Sequence, residues 1–92
     1  MKSIQVVNIP IQMIVCISTK GEMTPIRFRF EQSDQTICTV QVDRICQRKD
    51  ALIGNLGVSE FVCQAMIHER MQQFALRYMH HDNCWMLWGY YT

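Results

Sequence analysis

Charge is scarce in this chain. Asp, Glu, Lys and Arg make up 18 % of its 92 residues and nearly cancel, leaving a net +1 at pH 7. A balance so close to zero excludes the global field that draws strongly basic domains to nucleic acid or anionic membranes, so any electrostatic site must be local. Proline and glycine are few, at two and four residues, which excludes a Pro/Gly-rich low-complexity chain. Long hydrophobic runs are missing too. The longest apolar stretch, Val6 to Ile17, is broken by Asn8, Pro10 and Gln12 and falls short of the ~20 residues of a membrane helix. There is no nucleophile elbow, phosphate-binding loop or paired zinc-ligand spacing, so the residues name no reaction and no cofactor.

Five cysteines stand at positions 16, 38, 46, 63 and 84. An odd count without short paired spacing argues against a disulfide framework, and such thiols behave as small buried hydrophobes in a reducing cytosol. The N-terminal region lacks an uninterrupted apolar segment followed by a small-residue cleavage site. The expectation is a cytoplasmic protein with no membrane segment. At this length one domain over residues 1–92 is expected, burying about 60–65 % of its unfolded surface in a single core.

What is present is two-residue alternation. In Ile26-Arg27-Phe28-Arg29-Phe30 apolar and cationic residues alternate as on a half-buried strand, with Ile26, Phe28 and Phe30 expected inside and Arg27 and Arg29 in water. Ile9, Ile11, Met13, Val15 and Ile17 give an earlier strand from about Val7 to Thr19, separated from the second by the turn residues Lys20 to Pro25. A third strand is expected from Thr36 to about Arg48, carrying Cys38, Val40 and Val42 on one face. There Ile45 breaks parity and calls for a bulge near Asp43-Arg44. Thr39, Gln41 and Asp43 would lie across from Arg27 and Arg29. Arg48 to Gly57 reads as a loop. The C-terminal run Trp85 to Tyr91 is dense in aromatics, as a pleated surface favours, and is apolar on both faces.

Residues 59–81 admit two readings. They contain no Gly or Pro and offer a helical stripe of Cys63, Ile67, Met71, Phe74 and Tyr78, with Ser59 as cap. They also alternate as two strands, Phe61, Cys63, Ala65 and Ile67 and then Phe74, Leu76 and Tyr78, joined near His68 to Met71. Helix-friendly composition and strand periodicity are nearly even here.

Across Thr24 to Phe30, Val40 to Ile45, Phe61 with Cys63-Gln64-Ala65, Leu76-Arg77-Tyr78 and Cys84 to Leu87, the chain resembles a group of small uncharacterised bacterial all-β domains. The resemblance runs from about Pro10 to Trp88. It implies a hairpin over residues 61–80 and carries no activity. Where that pattern has a glycine-containing turn, this chain has His68-Glu69-Arg70-Met71.

Four kinds of site are conceivable. Arg27, Arg29, Arg44, Arg48, Lys49 and Arg77, beside the C-terminal aromatics, suit a single-stranded nucleic-acid surface. His80, His81 and Cys84 form one loose group of metal donors, with Cys63 and His68 in reach if residues 61–80 form a hairpin, but supply no second close pair. Glu60, Glu69 or Asp82 beside a histidine would be needed for acid–base catalysis. Trp85, Trp88, Tyr90 and Tyr91 suit an interaction surface, since a strand apolar on both faces requires a cover. The expectation is therefore an all-β meander of five or six antiparallel strands, curled into a bent sheet or barrel, with an α+β fold containing a helix near 59–81 as alternative. Its function is expected to be that of a non-catalytic interaction module, its partner a second copy (a homodimer) or another protein, with nucleic acid not favoured.

Overall fold

In the computed structural model, which describes residues 3–92, the chain forms seven strands and, among those residues, no helix. They are β1 (Ile4–Ile17), β2 (Met23–Glu31), β3 (Ile37–Gln41), β4 (Arg44–Ile53), β5 (Leu56–Ile67), β6 (Arg70–Met79) and β7 (Cys84–Tyr91). All pair antiparallel in a single sheet of order β3-β2-β1-β7-β6-β5-β4. The meander is therefore wrapped round: first and last strands pair at its centre, and its two ends are β3 and β4.

The seventh strand arises because the expected third strand divides. Alternate strands of an antiparallel sheet reverse direction, so the observed order makes β3 and β4 run the same way with only Val42 and Asp43 between them. One extended run thus begins beside β2 and finishes beside β5. The Val42 N–H donates to the Ile26 carbonyl at 2.9 Å and the Asp43 N–H to the Gln64 carbonyl at 3.0 Å, so the step straps the two ends of the curled sheet together without closing it. Parity changes across this step, and Ile45 packs against the core as the pattern required. Thr39 and Gln41 do face Arg29 and Arg27, but Asp43 turns to β5, where Oδ2 accepts the Met66 N–H.

The expected loop at Arg48 to Gly57 is instead the end of the β4–β5 hairpin. Ile53 faces Leu56 across Gly54-Asn55, and Gly54 has φ 64°, the positive value required at the first position of a type II′ turn. Ile26 also departs from expectation. Between the Ile14–Arg27 and Val15–Pro25 pairs β2 carries one extra residue, which is Ile26. It is 37 % exposed, and the buried Pro25 takes the inward position next to Phe28.

Residues 56–79 form a hairpin, so the helical alternative is overturned. A helix would have lined up Cys63, Ile67, Met71, Phe74 and Tyr78, whereas Met71 is 53 % exposed and Phe61, Ala65 and Leu76 are buried. The hairpin buries both alternating sets at once, Phe61 beside Leu76 and Cys63 beside Phe74. Each such large side chain contributes ~1.5–3 kcal/mol when fully buried, more than the few tenths per residue of helix propensity opposing it. The core between the curled faces comprises Phe28, Val40, Phe61, Cys63, Ala65, Phe74, Leu76 and Leu87.

The β5–β6 turn is two residues long, and both His68 (φ 51°) and Glu69 (φ 66°) adopt the left-handed conformation. This is the type I′ geometry that matches strand twist, for which Asn-Gly is preferred. A side chain there is strained, by roughly 1 kcal/mol at each position. The double substitution His68→Asn, Glu69→Gly is therefore expected to stabilise the fold by about 1 kcal/mol, less than the full strain because glycine also loosens the unfolded chain. Thermal unfolding checks this, and an unchanged or lower midpoint contradicts it.

Candidate binding surfaces

β3 pairs with β2 only over Arg27 to Glu31 and the Val42 N–H reaches the Ile26 carbonyl, which leaves Met23 to Pro25 without a ladder partner on that side. Opposite this stretch lies β4, the last strand of the sheet. Arg48 bridges the seam, donating from Nη1 to the Met23 carbonyl at 2.7 Å and from Nη2 to Thr24 Oγ1 at 3.1 Å, with its guanidinium 5.5 Å from the centre of the Phe61 ring. A cleft of about 420 Å³ opens here between Gly21 to Met23 on one wall and Arg48, Asp50, Ser59 and His80 on the other.

Asp50, Ser59 and His80 form a connected group that the sequence reading passed over. Ser59 Oγ lies 2.6 Å from Asp50 Oδ1 and 2.7 Å from His80 Nε2. An ionised carboxylate only accepts, so the single hydroxyl proton goes to Asp50 and His80 must donate its Nε2 proton to Ser59. That polarity is the reverse of nucleophile activation, in which the imidazole nitrogen accepts the serine proton. The group instead fixes the His80 ring, which also meets the Tyr78 ring edge-on at 4.9 Å. Tyr78 in turn packs on Trp85, and Trp85 on Phe61, with centroids 5.2 and 5.5 Å apart. The signal was available: a two-residue turn at Gly54-Asn55 places Asp50 directly across from Ser59.

On the opposite face of β5, Glu60 is buried and accepts from Arg77 Nε at 2.8 Å, with Lys49 Nζ at 3.4 Å on its other oxygen. The Arg77 guanidinium covers the Trp88 ring at 3.8 Å. A desolvated carboxylate needs such partners, since burying it alone would cost several kcal/mol. Lys49 and Arg77 thereby share the single Glu60 carboxylate, which cancels one of their two charges, and Arg48 is committed to β2. Arg27 and Arg29 lie on the far side of β2 beside Gln12, to which Arg29 donates, and Arg44 stands at the start of β4. The six do not make one groove lined by aromatics.

The C-terminal aromatics are each half-buried within the chain. β7 lies at the centre of the sheet with β1 and β6 on its two sides, so it has no free edge. Trp85 and Tyr90 pack against the core, while Trp88 lies under Arg77. Tyr91 remains half-buried. Of the metal candidates, His80 is held by Ser59, and Cys84 Sγ donates to the Asp82 carbonyl at 3.2 Å. Among the described residues no three His, Cys, Asp or Glu side chains converge as a metal site. Glu69 sits in the hairpin turn and Asp82 in the turn before β7. Among the described residues no helix is long and apolar enough to cross a membrane.

Leu52, at the tip of the β4–β5 hairpin, is the most exposed large hydrophobic among the described residues at 75 %, and its neighbours Ile53 and Leu56 are 48 and 42 % exposed. β4 from Cys46 to Ile53 is exposed throughout. No family model, no curated protein and no solved structure matches this chain; what the fold shows of the resemblance noted above is its all-β architecture.

Proposed function

We propose that this protein is a non-catalytic interaction module that accepts an extended strand along the outer edge of β4, with a second copy of itself as partner. The observation that carries the reading is the coincidence of a free edge with an apolar tip. As the last strand of the sheet, β4 leaves its outward N–H and C=O groups without ladder partners, and the same strand runs into Leu52 and Ile53. Exposed edges of this kind add strands, the backbone supplying affinity and the side chains selectivity. Self-association through a two-fold would cover both tips at once. The polarity of the Asp50–Ser59–His80 group supports the non-catalytic part, and five free thiols support a cytoplasmic setting.

Light scattering after gel filtration tests the reading. Wild-type protein is expected at twice the 10.9 kDa chain mass, and Leu52→Lys with Ile53→Lys is expected to return it to monomer, since charge on an edge opposes pairing. Wild type that stays monomeric at high concentration would overturn self-association.

A further inference from the structure

At the end of the curled sheet away from the seam is a half-open cavity of about 770 Å³, bounded by the β2–β3 and β5–β6 turns. Its floor is apolar. Ile9, Phe30, Cys38, Ile67 and Tyr90 line it and pack against the core from outside, and Phe30 stacks on the buried Phe28 with centroids 6.1 Å apart. One layer deeper Phe28 and Phe74 leave almost no accessible surface. Cys38, a small side chain, stands directly across from Phe30 at this end.

Several polar side chains there have no hydrogen bond or ion pair among the described residues, Glu31, His68, Tyr90 and Arg70 among them. The Tyr90 hydroxyl makes no hydrogen bond, although a half-buried tyrosine ordinarily finds one. Burial, with Cys38 nearby, raises its pKa, so it stays protonated and able to donate. Arg70, on the rim, has no ion pair. The acidic rim group, Glu31, belongs to β2 and directs a negative head towards the β6 side, where Arg70 stands. Polar side chains, Gln5, Glu31, His68, Arg70 and Gln72 among them, line the rest of it, and concave sites of this size that combine an apolar floor with polar groups hold small ligands.

We propose that this mouth binds a small monocarboxylate with an apolar body, seated on Ile9, Phe30 and Ile67 with its head towards Tyr90 and Arg70. The site is independent of the β4 edge. Titration of ¹⁵N-labelled protein with sodium decanoate is expected to give saturable amide shifts at Cys38, Ile67 and Tyr90. Tyr90→Phe, which keeps the ring, and Arg70→Glu are each expected to weaken decanoate by about tenfold, the loss of one hydrogen bond to a charged group. Decanol, with the same tail and no charge, should bind wild type and Arg70→Glu equally. The proposal is overturned if no saturable shift appears below the micelle threshold, if the shifts map to the β4–β5 tip, or if both variants bind decanoate as wild type does.

Discussion

Between pH 9 and pH 12 the folded state is expected to lose up to about 4 kcal/mol through one side chain, Cys63. Its thiol is wholly buried beside Phe61 and Phe74, where desolvation, reinforced by Cys46 and partly offset by Arg48, pushes its pKa up from 9.0 to about 12. The unfolded chain releases this proton near pH 9 while the folded chain retains it. The stabilisation is therefore complete below pH 9, declines as pH rises, and is gone above 12, at 1.36 kcal/mol per pH unit. Against a total of ~5–15 kcal/mol for a small domain, that loss is decisive. Urea unfolding at pH 8 and pH 11, followed by tryptophan fluorescence, measures it. Cys63→Ala should be less stable at pH 8 but show a shallower decline with pH, because Tyr90 and the other alkaline groups titrate in both proteins. An identical decline in the two would remove Cys63 as the cause. The same burial predicts that Cys63 resists alkylation in the native state while the exposed Cys16, Cys46 and Cys84 react.

The second large effect is expected from Gly89→Ala. Gly89 sits on the central strand between Ala75 of β6 and Val6 of β1, next to the extra residue, Trp88, that β7 carries between the Leu76–Leu87 and Ala75–Gly89 pairs. A methyl group there would stand 2.5 Å from the Gln5 carbonyl oxygen and 2.9 Å from Ile4 Cγ1. The first neighbour is backbone and cannot rotate away, so β1 must move off β7. We expect a loss of about 3 kcal/mol, the upper range for overpacking, which lowers the melting midpoint of a domain this size by ~15 °C. Hydrogen exchange should localise the damage to Ile4 to Val6. A variant melting within experimental error of wild type would show that the first turn of β1 adjusts freely.

Alternation placed Phe28 and Phe30 inward and Arg27 and Arg29 outward correctly, and it detected that parity must change near Asp43. It could not distinguish a bulge from a strand changing partners, since both insert the same break in a period-two pattern. For residues 59–81 the pattern and the composition disagreed. The hairpin prevails because Phe61, Cys63, Ala65, Phe74 and Leu76 all enter one core, a gain that depends on the other strands being present. The turn at His68-Glu69 had no glycine to announce it; the strands on either side impose the left-handed conformation and hold it against its strain.

The candidate surfaces were less legible. Aromatic density drew attention to Trp85 to Tyr91, but whether a strand lies at the edge or the centre of a sheet depends on pairing order, and β1–β7 contact joins residues some eighty positions apart in sequence. Asp50, Ser59 and His80 are ordinary residues in sequence and become a hydrogen-bonded group only when two hairpins are in register. By itself the sequence determined the extended runs before residue 48 and after residue 84 and most of their apolar faces, because side-chain alternation is a local property of the strand; for residues 59–81 it left helix and hairpin open. Only the tertiary structure decided strand order, the free edge at β4 and the open mouth at Tyr90, because those depend on which distant strands pair and on how far the sheet must curl to bury its one core.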